Sequence, residues 1–173
     1  MSLNTNRKLS YIKKSTAVFY SSALVLFTLF TTKSFAVDLL DYQLKDLKSV
    51  ETHNLDQYRG DTFLMIFFQP DCPFCVKQSK VINEIQAECS DFQAIGVGVN
   101  GSRNDLQEEA RKMRANYPTY EVSASLQAEV GKVVGTPLML VANKQGIFTQ
   151  HLQGYQKMDS LIPVLGEAGL NCI

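Results

Sequence analysis

The sequence predicts an α/β protein of three layers, α/β/α, on a mixed sheet that closes with an antiparallel hairpin. Three observations predict it. Thr62 to Phe68 is one unbroken run (TFLMIFF), the pattern of a strand covered on both faces. Strand and helix patterns alternate along the chain, which places helices on both sides of a sheet. Leu138 to Val141 and Ile147 to Leu152 are separated by little more than Asn143-Lys144-Gln145-Gly146. So tight a turn makes the last two strands antiparallel and excludes a doubly wound fold.

The elements follow in order. Leu39 to Val50 carries apolar Tyr42, Leu44 and Leu47 and reads as a short strand pair. Asn54 to Gly60 reads as a short helical turn closed by glycine. After the run at 62–68, Pro70 and Asp71 stop the strand, and a helix opens near Pro73 and continues to about Glu88. Proline costs little there, because its missing N–H would be unpaired in the first turn anyway. Val76, Val81, Ile82 and Ile85 give that helix one buried stripe. Phe92 to Val99 is the next strand. Ser102 to about Asn116 is a charged helix with Leu106, Ala110 and Met113 inward. Thr119 to Val122 is a short strand, Ser125 to about Lys132 a short helix, and Asp159 to Ala168 the closing helix.

The first 36 of the 173 residues hold Arg7, Lys8, Lys13, Lys14 and Lys33 and no acid. They flank the apolar stretch Ala17 to Phe30, and Ser34-Phe35-Ala36 follows with small residues at the positions a signal peptidase reads. That is the layout of a secretory signal with a cleavage site. The stretch is shorter than the about 20 apolar residues that span a bilayer comfortably. Residues 1–36 are thus expected to be a cleaved signal peptide, with an uncleaved membrane anchor as the alternative, and 37–173 one domain. No cysteine lies near the cleavage site, so lipid attachment there is not expected. The whole chain balances 17 basic against 17 acidic residues, but without the leader 12 basic face 17 acidic, a net charge of −5. No basic stripe remains to neutralise phosphates, so nucleic acid is not an expected partner.

All four cysteines, Cys72, Cys75, Cys89 and Cys172, fall after the leader. An even count in an exported chain allows two disulfides. Cys72-Pro73-Phe74-Cys75 lies between a strand and a helix start. Unpaired N–H groups and the helix dipole stabilise a thiolate there, and the thiolate is the reactive species. Cys75, one turn on, reaches back to resolve a mixed disulfide formed at Cys72. The competing role, a zinc half-site, would need four ligands. His53 and His151 stand alone and no second Cys-x-x-Cys exists, so neither metal nor other cofactor is expected. A copper site would want a third soft or imidazole ligand.

The strand followed by CPFC, Gly135-Thr136-Pro137 before the penultimate strand, and the closing hairpin with Gly154 before the last helix resemble the thioredoxin superfamily. The resemblance implies a thioredoxin-like fold in which the proline at 137 is cis and faces the cysteine pair. Thr136 and Pro137 would then offer backbone groups to an extended substrate peptide. Pro137 would keep an N–H from crowding the sulfurs and a metal from binding between them. Phe74 at the rim would contact substrate; its plainer role is a hydrophobic cover. Thr119 and Tyr120 are further candidates for the groove wall.

Leu55-Asp56-Gln57-Tyr58-Arg59-Gly60 and Ile95 to Asn100 are similar to the exported TlpA/ResA-type branch (DsbE-like), and Arg103 to Val134 fills the place of its inserted helix and strand. That branch implies a reductant of disulfides in cysteine-bearing envelope proteins, recycled by a redox partner. With the leader the expected location is periplasmic, and with no dimerisation domain legible in the sequence a monomer is expected. A membrane would be involved only through an uncleaved leader. Gly135-Thr136-Pro137 and Gly154-Tyr155-Gln156 also resemble disulfide isomerases of the bacterial envelope, and Phe68 to Cys75 resembles thioredoxin-like isomerases of conjugation systems, so isomerase or oxidase activity is the alternative. A non-catalytic peptide- or copper-binding module is the alternative outside enzymes. The resemblance further implies that the CPFC helix and the last helix end together, which would let Cys89 bridge Cys172; two independent thiols are the other option.

Three positions depart from the family pattern. Asp71 stands where tryptophan usually precedes the first cysteine, Ile66 at the buried aspartate, and Gln78 where the closer branch often has glutamate. The two usual proton-handling carboxylates are missing. Asp71 is expected to be a solvated turn residue at the helix start, and its charge would raise rather than lower the Cys72 pKa.

Overall fold

The computed structural model describes residues 36–172, so the expectations for a leader at 1–36 lie outside the described residues except at Ala36. Among the described residues no helix is long and apolar enough to cross a membrane. Seven strands form one sheet: β1 (Gln43–Asp46), β2 (Thr52–Asn54), β3 (Thr62–Phe68), β4 (Phe92–Gly98), β5 (Thr119–Glu121), β6 (Leu138–Ala142) and β7 (Phe148–Gln153), in the order β2-β1-β5-β4-β3-β6-β7. β3 pairs parallel with β4, and β4 parallel with β5, while β6 lies antiparallel to both β3 and β7. Among the described residues four α-helices complete the fold: α1 (Pro73–Glu88), α2 (Arg103–Met113), α3 (Ala124–Val130) and α4 (Met158–Glu167). The mixed sheet, the helix layers and the closing hairpin are those the sequence predicts.

β3 is buried at every position because both its faces are covered. Leu64, Ile66 and Phe68 join one core with Ile82 and Ile85 of α1, Leu106 and Met113 of α2, and Leu161 and Leu165 of α4. Phe63, Met65 and Phe67 point the other way, among Leu39, Leu40, Leu55, Tyr120 and Leu126 of α3. The period-two side-chain alternation of a strand divides one apolar run between two cores.

Two boundaries differ most from the sequence reading. The first strand pair is not contained in 39–50, since its second strand is Thr52–Asn54. The Asp46 carboxylate accepts the Lys48 and Ser49 N–H groups at 2.6 and 2.7 Å, and Val50 takes a φ of +63°. That side-chain-capped turn uses the residues that would otherwise begin the return strand. The second helix stops at Met113 rather than near Asn116. Arg114 turns left-handed at φ +51°, and Asn83 of α1 holds the departing chain by donating to Arg114 O at 2.9 Å and accepting from Asn116 N at 3.0 Å. A tertiary contact overrides local helix preference there.

Two glycines let α2 approach the C-terminal end of β3. At Gly98 a Cβ would fall 2.9 Å from the Leu106 methyls, and at Gly101 2.5 Å from Pro70 Cγ. A larger residue would crowd the Leu106 side chain of α2 at position 98, and the Pro70 ring, two residues before Cys72, at position 101.

Candidate active site

β3 ends at Phe68 and delivers the chain through Pro70 and Asp71 to Cys72, which caps α1. Asp71 takes a φ of +55°, a conformation that aspartate tolerates better than most side chains. Its own carboxylate is 91 % exposed, as a solvated turn residue's should be. Cys72 and Cys75 form a disulfide with their Cα atoms 5.2 Å apart. The Cys75 N–H donates to Cys72 Sγ at 3.1 Å, and the Thr136 hydroxyl donates to the same sulfur at 3.3 Å. Both donors therefore face the atom that becomes a thiolate on reduction.

In the disulfide, Cys72 is 6 % accessible and Cys75 fully buried. Phe74, between the two cysteines in the chain, is 53 % exposed, with Lys77 Nζ 5.2 Å from its ring centre. Cys72 remains the more accessible of the two.

The Thr136–Pro137 peptide bond is cis. Pro137 O accepts the Gly154 N–H at 2.8 Å, and Gln153 Nε2 donates to Gly135 O at 3.0 Å, so β7 pins this loop on the side away from the cysteines. Thr119 and Tyr120 lie elsewhere. Both are buried on β5, with the Tyr120 hydroxyl 3.3 Å from that of Tyr58. Burial raises the Tyr120 phenol well above its ordinary range.

Gln78, one turn beyond Cys75, is wholly buried. Its Oε1 accepts the Gln156 N–H at 2.7 Å, tying α1 to the segment before α4. Nearby on α1, Ser79 accepts a 2.9 Å bond from the buried Tyr117 hydroxyl, whose ionisation burial strongly opposes. Both polar contacts fix α1 against the layer beside it.

The residue that sequence reasoning missed is Glu109. It is 1 % exposed, and its carboxylate accepts the Asp71 N–H at 3.1 Å and the Cys72 N–H at 3.3 Å. Lys112 Nζ lies 3.8 Å from it, and also 3.6 Å from Asp71 and 3.2 Å from Glu108. A signal existed in the sequence: 109 is three residues after Leu106 and four before Met113, on the inward stripe of α2. An acid there is either a packing error or a partnered group.

Cys89 and Cys172, far from this site, form the second disulfide, with Cα atoms 5.3 Å apart. Among the described residues no group of three or more His, Cys, Asp or Glu side chains could hold a metal ion.

Thr136→Val tests the donor geometry. Losing a hydrogen bond to a charged acceptor costs about 1.5–3 kcal/mol, or one to two pKa units; sulfur is a weak acceptor, so the lower figure applies. The pH midpoint of Cys72 alkylation in the reduced protein is expected to rise by about one unit. An unmoved midpoint would show that the hydroxyl does not reach the thiolate.

A family model described as a thioredoxin-like domain matches residues 55–169. No curated protein sequence matches the chain. Among solved structures, the fold is shared with MTB DsbF in mixed oxidised and reduced forms, at 18 % identity and a TM-score of 0.65, covering 77 % of this chain and 98 % of that one. A secreted Mycobacterium tuberculosis disulfide oxidoreductase homologous to E. coli DsbE matches at 17 % identity and a TM-score of 0.63, covering 76 % and 99 %. The exposed lipoprotein thioredoxin Etrx1 of Streptococcus pneumoniae matches at 21 % identity and a TM-score of 0.58, covering 73 % and 98 %. The matched stretch contains the strand, the cysteine pair, the cis-proline and all four helices. The chain belongs to the thioredoxin-like family and is an oxidoreductase of that family, with Cys72 and Cys75 as its redox pair.

Proposed function

We propose that the protein is an exported thiol–disulfide oxidoreductase that reduces disulfides in cysteine-bearing envelope proteins and is recycled by a separate redox partner. Cys72 attacks and carries the mixed disulfide; Cys75 resolves it. One observation carries this reading: Cys72 Sγ, at the start of α1, is faced by the Cys75 N–H and the Thr136 hydroxyl. Donors aimed at that sulfur stabilise it as attacking thiolate and as leaving group. Thr136 and Pro137 form the wall against which an extended peptide is laid, and Phe74 supplies an apolar contact beside it.

The basic, apolar leader supports export, as do neighbours whose structures are of a secreted and of an exposed protein. The reducing direction is supported by the Pro-Phe dipeptide, which lacks the histidine that stabilises the reduced form in strongly oxidising exported enzymes. The chain acts as a monomer, with no nucleic-acid partner.

Cys75→Ser tests the reading, since it removes the resolving thiol and leaves the attacking one. Expressed with its leader, this variant should accumulate mixed disulfides with cysteine-bearing envelope proteins that a reductant releases. Absence of such adducts, with Cys72 free and alkylatable, would instead favour a non-catalytic binding module. A redox potential near the oxidising end of the exported enzymes would replace reductant with oxidase.

A further inference from the structure

We propose that Glu109 is a positioning residue for Cys72: its carboxylate fixes the Asp71–Cys72 turn and sets a negative charge beside the reacting sulfur, biasing the pair toward the disulfide. The inference rests on the reading of Cys72 and Cys75 as the exchanging pair and names what tunes it.

The geometry begins with the backbone. Asp71 at φ +55° turns two successive amides, its own and that of Cys72, toward the same side. Successive amides around a left-handed residue make a concavity for an anion. Here the anion comes from the chain itself, as each oxygen of Glu109 takes one N–H, at 3.1 and 3.3 Å. A buried carboxylate is costly unless it is bonded and paired, and these two bonds, with Lys112 at 3.8 Å, supply the compensation. The Cys72 nitrogen so held is three covalent bonds from Sγ.

Negative charge at this distance opposes the thiolate, because a like charge disfavours the charged form. The Cys75 N–H and the Thr136 hydroxyl act the other way. Other charged side chains near the loop include Asp71 itself, Glu108 and Lys112 of α2, and Lys77 of α1 near the Phe74 ring. In reduction by glutathione, two glutathione thiols become one glutathione disulfide. The Cys72–Cys75 bond breaks and both cysteines end as thiols. Above its titration midpoint Cys72 then gives its proton to solvent. Glu109 raises the free energy of that last state only, so it holds the equilibrium toward protein disulfide and makes the dithiol the stronger reductant.

The test compares Glu109→Gln with Glu109→Asp in the full mature protein. Glutamine removes the charge at constant size; aspartate keeps the charge and shortens the reach. For Glu109→Gln the pH midpoint of Cys72 alkylation should fall by about one unit, the lower end of the range for one neighbouring charge. At a pH above both midpoints, the equilibrium with glutathione should then move toward dithiol by about tenfold, or about 30 mV for this two-electron couple. Glu109→Asp should leave both readouts near wild type. An unmoved midpoint in Glu109→Gln, or equal shifts in both variants, would overturn the proposal, since a purely structural clamp is loosened by either change. If Glu109→Gln does not fold, Lys112→Gln decides. Because Lys112 also lies 3.6 Å from Asp71, the change is made in an Asp71→Asn background, where a raised midpoint supports the proposal and an unchanged one overturns it. A wild-type pair that never equilibrates with glutathione would instead sink the functional reading, before any variant is made.

Discussion

Replacing Cys72 with serine is expected to abolish disulfide exchange, by at least about 10³-fold, as removal of a nucleophile does when its hydroxyl replacement stays protonated. Turnover of a disulfide substrate in the presence of a small-molecule reductant measures it. Cys75→Ser should fail differently. It keeps the sulfur faced by the Cys75-position N–H and the Thr136 hydroxyl, so the first attack proceeds and the reaction stalls at the mixed disulfide. The structure makes this asymmetry sharper than exposure alone would, because at 6 % and 0 % accessibility neither sulfur is open in the disulfide state. What separates them is the set of donors around Cys72. Should Cys72→Ser form mixed disulfides through Cys75 as readily as Cys75→Ser does through Cys72, the assigned roles would be wrong.

Removing the second disulfide should give the largest loss of stability. Cys89 closes α1, donating its N–H to Ile85 O at 2.9 Å, and Cys172 lies beyond α4, 83 residues along the chain. Cross-linking a loop of that length removes denatured-chain entropy worth about 4 kcal/mol. In a domain of this size that corresponds to about 10–15 °C in thermal midpoint. A Cys89→Ala/Cys172→Ala variant, melted with Cys72–Cys75 kept oxidised, measures it. The bridge is remote from the active site, so the exchange rate of the folded variant should be unchanged. A midpoint within 2 °C of wild type would mean that the unfolded chain is already held compact without the bridge.

Residues on one helix show how far the site could be read in advance. Along α1, Cys72, Cys75, Ile82 and Ile85 declare their places through motif and periodicity, and the helix runs from Pro73 to Glu88 as its spacing predicts. Gln78 was visible only as a departure from the family pattern. Its burial and its bond to the Gln156 N–H depend on where the chain before α4 happens to pass. Glu109 lies further still from local information. Its stripe position marks it as inward, but nothing in α2 says that the inward neighbour is the amide pair at Asp71 and Cys72. That contact requires β4 to lie parallel beside β3, and Gly98 and Gly101 to let α2 come close. The familiar carboxylates are indeed absent at Ile66 and Gln78, yet the site is not without one.

The sequence by itself determined the layers, the direction of the last hairpin and the cysteine pair at a helix start, because each follows from periodicity, turn length or the orphan N–H groups of a first turn. Only the tertiary structure decided which groups meet Cys72. Thr136 reaches its sulfur across 64 residues of chain and Glu109 its amide across 37. Contacts of that separation are fixed by sheet register and helix approach, which no local pattern encodes.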